Sequence, residues 1–156
     1  MSAMSVDTQS RAKYEKLIAA AKAVPSVSTI VVHPRDETSL RGAVDSAEAG
    51  IIHPVLVGPE TKIRNTAAKY GLDISSFEII DAAHSEAAAA KGVELIHAAK
   101  GEVLMKGSLH TDELMRSVMA KTTGLQTERR ISHVFVMDVP AYADTLFLTD
   151  AAINIF

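Results

Sequence analysis

The chain has no cysteine. Disulfides, thiolate metal sites and a cysteine nucleophile are therefore excluded. Aromatic residues are scarce, four Phe and three Tyr among 156 residues, and much of the apolar content is alanine. Closely packed helices on a sheet suit that composition better than a large aromatic core. No stretch approaches the ~18 apolar residues of a membrane span. The polar segment from Met1 to Lys13 lacks the apolar core of a signal peptide. A cytoplasmic location without a membrane partner is the expectation. The formal charge of −3 gives no electrostatic case for nucleic acid. The histidines show no ligand spacing such as His-x-x-x-His, so no metal is expected. What remains, 47% hydrophobic and 22% charged, is a globular composition of about one domain's length.

Taken in order, residues Met1 to Ser10 read as a loose tail. Arg11 to Val24 reads as a helix, with Tyr14, Leu17, Ile18 and Ala21 on one stripe, stopped by Pro25. Ser28 to His33 is a β-branched run closed by Pro34 and predicts a buried strand. Asp36 stands where an N-cap belongs, ahead of the stripe Leu40, Ala43, Val44 and Ala47. Gly50 takes the position after that helix. Further strands are expected at Pro54–Gly58, Phe77–Asp81, Glu102–Met105, Ile131–Val139 and Thr145–Thr149. Helices are expected around Ile63–Tyr70, His84–Lys100 and Thr111–Lys121. This alternation predicts an α/β fold: a three-layer, mostly parallel sheet with helices on both faces. The last two strands are expected to include an antiparallel pair, linked through Val139–Ala143.

Ligands of parallel sheets bind outside the carboxyl ends of the strands. The stretch Gly101 to Arg116 therefore holds the candidate site. Lys106 and Gly107 end a strand. Glycine admits close backbone approach, the next helix N-terminus favours anions, and a lysine offers a point charge to a phosphate. An ordinary βα turn with a solvated lysine fits the same residues, and Asp112 and Glu113 already complement the helix end. Arg116 lies off the stripe of Leu114, Met115, Val118 and Met119, facing either a cleft or bulk water. His110 with Ser108 and Thr111 looks like a catalytic cluster but lacks a third group to orient the histidine. Helix capping by Thr111 or Ser108 accounts better for the hydroxyls. Arg129 and Arg130, beside Ser132 and His133, read as a solvated pair.

Four segments carry more. They are Pro54-Val-Leu-Val-Gly-Pro-Glu-Thr-Lys-Ile63, Val103-Leu-Met-Lys-Gly-Ser-Leu-His-Thr111 with Arg116, Ile131-Ser-His-Val-Phe-Val136, and Thr149-Asp-Ala-Ala-Ile-Asn154. In this order and spacing they resemble the phosphate acetyltransferase/phosphate butyryltransferase family. The Met-Lys-Gly and Ser-His-Val forms look like the butyryltransferase branch. The resemblance implies acyl transfer between coenzyme A and inorganic phosphate, by direct thiolate attack and with no metal or prosthetic group. It implies coenzyme A as substrate, small-molecule partners (acyl-CoA and phosphate), and a homo-oligomer in the full-length protein. It also implies the first domain of an isocitrate/isopropylmalate dehydrogenase-like fold, with the active site between two domains.

By that resemblance Arg116 is catalytic, and Lys106, Gly107, Ser108 and Thr111 bind the phosphate or acyl phosphate. The expected organisation is a tail and helix over residues 1–25, an α/β domain over 26–150, and at 151–156 the start of a crossing to an absent second domain. On that expectation the chain is an N-terminal portion, inactive alone. The rival is a non-catalytic α/β module for small-ligand binding or assembly, which would not need Arg116.

Overall fold

The run Val27–Val32 (β1) is the centre of the molecule's sheet because it is apolar on both sides. Ile30, Val31 and Val32 are all fully buried. In the computed structural model, which describes residues 4–139 and 142–150 (residues 4–11 by backbone alone), four parallel strands stand in the order β3-β2-β1-β4. Here β2 is Ile52–Gly58, β3 Glu78–Asp81 and β4 Val103–Lys106. Val31 is aligned with Leu56 on one side and Met105 on the other.

Side chains alternate across a strand, so β1 feeds two cores. Ile30 and Val32 pack with Ala88, Ala89 and Leu95 of α4 (Ser85–His97) and Leu114 of α5 (Thr111–Val118). Val31 and Leu56 pack on the opposite face. Their partners are Leu40, Ala43 and Val44 of α2 (Glu37–Glu48) and Ile63 and Ala67 of α3 (Glu60–Tyr70). Each fully buried aliphatic side chain contributes roughly 1.5–3 kcal/mol. A four-stranded parallel sheet with helices on both faces is thus the architecture, as the strand–helix alternation predicts.

The helix ends follow local chemistry. Asp36 caps α2, its Oδ1 accepting from the Ser39 N–H at 2.9 Å. Gly50 and Gly71 hold the left-handed backbone (φ 74° and 64°) that ends α2 and α3. Gly107, just past β4, is required for a different reason. A Cβ there would lie 2.4 Å from the Val32 carbonyl oxygen and 2.8 Å from that of His33.

Two expectations need correction. The first helix, α1, runs Met4–Lys22, so most of the expected tail is helical; the sequence carries no breaker before Pro25 to stop it. The last strands, β5 (Val134–Met137) and β6 (Leu146–Thr149), do pair antiparallel, but as their own two-stranded sheet. The chain divides into a unit of Pro25–Gln126, which holds all four parallel strands, and a second unit built from the flanks. In that second unit the Lys13 ammonium is buried. It donates to the carbonyls of Val139 and Tyr142 and pairs with Asp138 at 2.5 Å. The expected crossing at 151–156, and residues 140–141 of the expected link, lie outside the described residues.

His33, directly after β1, is the non-glycine residue on which the sheet's carboxyl edge turns. Its φ is 58°, it is 5% exposed, and its Nδ1 has no hydrogen-bond partner. Burial first, then Arg35, Lys62 and His84, lower its pKa below the usual 6.5, while Glu113 opposes them. A base with a lowered folded pKa is neutral in the fold. The unfolded chain then takes up the proton first, and stability is lost as pH falls through about 6.5 toward the folded value. Urea midpoints at pH 7.5 and 5.5 should therefore fall less for His33→Asn, which tolerates a positive φ, than for the parent. An equal fall in both would refute this. Gly107→Ala should cost about 1–3 kcal/mol through overpacking against β1. Gly42→Ala, inside α2 with its nearest neighbour 3.5 Å away, should instead stabilise by about 0.5–1 kcal/mol. Urea unfolding at fixed pH checks both signs.

Candidate functional site

The chain passes from β1 to β2 to β3 on one side, then returns to place β4 on the other side of β1. The carboxyl edge between β1 and β4 is therefore a topological switch point, the usual place for a ligand in such a sheet. Two segments meet there, His33–Asp36 and Lys106–Thr111. The His33 carbonyl joins them. It accepts from the Arg35 N–H at 2.9 Å, the Ser108 N–H at 3.0 Å and the Ser108 hydroxyl at 3.0 Å. Gly107 N–H donates to the Val32 carbonyl at 2.8 Å, continuing the ladder by one residue.

Lys106 is folded onto its own turn. Its ammonium donates to the Leu109 carbonyl at 2.7 Å and to that of Gly107 at 3.2 Å. This rigidifies the loop and leaves one of three donors uncommitted to these carbonyls. The Ser108 hydroxyl is spent on His33, so neither Ser108 nor Thr111 supplies the expected cap of α5. Glu113 does so instead. Its Oε2 accepts the His110 N–H at 2.8 Å, and its Oε1 accepts the Ser85 hydroxyl at 2.9 Å. The His110 bond, then the Ser85 bond, hold the Glu113 carboxyl below its usual pKa. Glu113 thereby ties the first turn of α5 to the first turn of α4. Across the crevice the Ser39 bonds likewise lower the pKa of Asp36, with a smaller contribution from Lys106.

Thr111 is exposed on the first turn of α5. Arg116 sits five residues on, about 7.5 Å along the axis and about 140° round from it. Its guanidinium is 65% exposed and makes ion pairs with Glu86 at 3.2 Å and Asp112 at 3.5 Å. Exposed pairs of this kind contribute little, so the arginine is free to exchange them for an anion. The structure thus gathers Lys106, Gly107, Ser108 and Thr111 in one turn and sets Arg116 on a different face of the same helix. Arg116 also lines a cleft of about 700 Å³ between α4 and α5.

His33 is a site residue that sequence reasoning passed over, and Glu113 was read only as complementing the helix end, not as the tie between α5 and α4. The available signal for His33 was one polar residue ending a β-branched run at the strand that the fold makes central. For Glu113 it was a carboxylate three residues after His110. Among the described residues no group of His, Asp and Glu is gathered that could hold a metal ion. No helix among them is long and apolar enough to cross a membrane.

No family model matches the chain. Individual proteins do. The chain is 65% identical over 144 residues to a phosphate acetyltransferase of Rhizobium meliloti, a match covering 92% of this chain and 46% of that protein. It is 36% identical to a phosphate butyryltransferase of Clostridium beijerinckii, covering 92% of this chain and 47% of that protein. The higher identity is thus to a protein named an acetyltransferase, not to the branch toward which the motifs lean. A solved phosphotransacetylase from Streptococcus pyogenes shares the fold, with a TM-score of 0.72 at 17% identity over 99% of this chain and 53% of that one. The chain spans about half the length of the curated relatives it matches. Related over nearly all of its own length to proteins of both names, the chain belongs to the phosphate acetyltransferase/phosphate butyryltransferase family.

Proposed function

We propose that this chain supplies one wall of a phosphate acyltransferase site, in which an acyl group passes between coenzyme A and inorganic phosphate. The observation that carries this is the turn Lys106–Thr111, clamped to β1 at the switch point and opening onto the N-terminus of α5. In the transfer, a coenzyme A thiolate attacks the carbonyl carbon of the acyl phosphate. A sulfur–carbon bond forms, the bond from that carbon to the bridging oxygen breaks, and inorganic phosphate leaves with that oxygen and the electron pair. No covalent enzyme intermediate is needed, so the protein's contribution is positioning and charge stabilisation.

The proposed roles divide among the residues of the turn and of α5. Gly107 and Ser108 fix the turn against β1. Lys106 adds a positive charge at its base. The Thr111 hydroxyl and the first-turn N–H groups of α5, which have no acceptor within the helix, hold phosphate oxygens. Arg116, released from Glu86 and Asp112, closes on the phosphate as the catalytic residue, taking up charge as the bond to the acyl carbon breaks. In this reading the remainder of the site comes from a second α/β half of the kind found in isocitrate dehydrogenase-like folds. The assembly is a cytoplasmic homo-oligomer, and no metal or prosthetic group takes part. The relatives' names support the acyl-transfer reading, and their roughly double length supports a further half.

Two outcomes test the proposal. Titrating the 15N-labelled chain with inorganic phosphate should move the amides of Gly107, Thr111 and Asp112 saturably. Arg116→Gln should weaken that response roughly tenfold, in keeping with a lost charge-assisted hydrogen bond. Unmoved amides at the turn would sink the site. Assayed for thioester formation from acyl phosphate and coenzyme A, the chain alone should turn over poorly. In the Rhizobium meliloti protein, replacing the arginine that aligns with Arg116 by alanine should cost ~10²-fold or more. Full turnover by this chain alone would refute the need for a second half, and an arginine variant of unchanged rate would favour a non-catalytic module.

A further inference from the structure

His33 sits where a proton is hard to place. Its ring is buried at the carboxyl end of β1, and its Nδ1 is enclosed without a hydrogen-bond partner. The end of β2 shuts it in: a Cβ at Gly58 would lie 3.5 Å from that nitrogen. Burial, then Arg35 in the loop after β1, Lys62 on α3 and His84 at the start of α4, all disfavour a cation there, while Glu113 on α5 favours one. Both Glu113 oxygens are already engaged, by the His110 N–H and the Ser85 hydroxyl. Asp36 and Lys106, which flank the same crevice, are engaged by Ser39 and by the carbonyls of Gly107 and Leu109. In a charged imidazole both nitrogens carry a proton. An imidazolium left in this seat therefore buries a donor that has no acceptor.

The same residue fixes the turn after β4. Its backbone is left-handed, with φ 58°, and its carbonyl accepts from the Arg35 N–H, the Ser108 N–H and the Ser108 hydroxyl. Ring and carbonyl share one Cα. A non-glycine residue holds a positive φ only where its surroundings enforce it, and here the enforcing contact is the seat of the ring. With the ring out in water, the residue relaxes to negative φ and its carbonyl swings away from Ser108.

We infer that His33 is a proton-operated latch: with its ring neutral and seated, it holds the turn Lys106–Thr111 against β1, and with its ring charged and expelled, it lets the turn go. The two arrangements differ in one side chain and one backbone angle, which is a bistable element that a single proton can bias. The sign follows from the seat. It rejects the charged form, so falling pH opens the latch and rising pH closes it. The latch concerns the turn itself and not what the turn binds, so it does not depend on the acyl-transfer reading.

The test is a pH titration of the 15N-labelled chain from 7.5 to 4.5 in buffers free of phosphate, followed by NMR. The amides of Arg35 and Ser108, whose bonds end on the His33 carbonyl, should move together with a midpoint below 6.5. The His33 ring signals should share that midpoint. The amides of Leu56 and Ala67, in the core on the opposite face, should hold still. His33→Asn, which tolerates a positive φ and does not titrate, should lose the movement of Arg35 and Ser108. His33→Gly, for which a positive φ carries no steric cost, should lose it too, so that a fold defect in one variant does not decide the matter. His84→Asn and His110→Asn should keep it. Core amides that move with Ser108 would make the event global unfolding and overturn the latch. Amides at Arg35 and Ser108 that stay fixed down to pH 4.5 would refute it. A movement that survives both His33 variants, or that vanishes with His84 or His110, would place the proton elsewhere and refute it equally.

Discussion

One carbonyl holds the candidate site together. The His33 oxygen accepts from Arg35 and twice from Ser108, so the edge of β1 and the turn after β4 share a single anchor. That geometry is reached only because His33 adopts a left-handed backbone and because Gly107 brings no Cβ against Val32. Left-handed conformations of non-glycine residues are uncommon and cost of order 1–3 kcal/mol. Here the cost is offset by three hydrogen bonds and a fully buried strand. The turn that follows inherits its position, and α5 starts where that turn leaves it.

From this anchor the chemistry spreads outward in a fixed order. Lys106 spends two donors on its own loop, Ser108 spends its hydroxyl on His33, and Glu113 spends one oxygen on the His110 amide at the start of α5 and the other on Ser85 of α4. These groups set shape more than they offer contacts. What stays available is the first turn of α5, the Thr111 hydroxyl and the loosely paired Arg116. A turn wired in this way is fixed through its backbone, while one long cationic side chain is held only by exposed ion pairs.

Much of the fold was legible because it is written locally. The β-branched run at Ile30–Val32, the cap at Asp36 and the glycines at positions 50 and 71 each state their role within a few residues. The turn at Lys106–Thr111 was also legible as a place, from the strand–glycine–helix pattern. Its internal wiring was not. Ser108 looks like a cap from its neighbours, yet its partner is His33, 75 residues away. Glu86 meets Arg116 across 30 residues, so neither residue's sequence neighbourhood shows the pair. The separate β5–β6 sheet escaped for the same reason. Strand character is local, whereas the choice of pairing partner is not.

The buried Lys13 bears on how the chain comes into being. Its acceptors, Val139 and Tyr142, lie 126 and 129 residues further on. During synthesis α1 emerges well before the groups that satisfy its ammonium. Contacts of such long separation form slowly, whereas the strand–helix units of Pro25–Gln126 can assemble from neighbours. This helix therefore leaves the ribosome long before its final environment exists, with a solvated lysine as its waiting state.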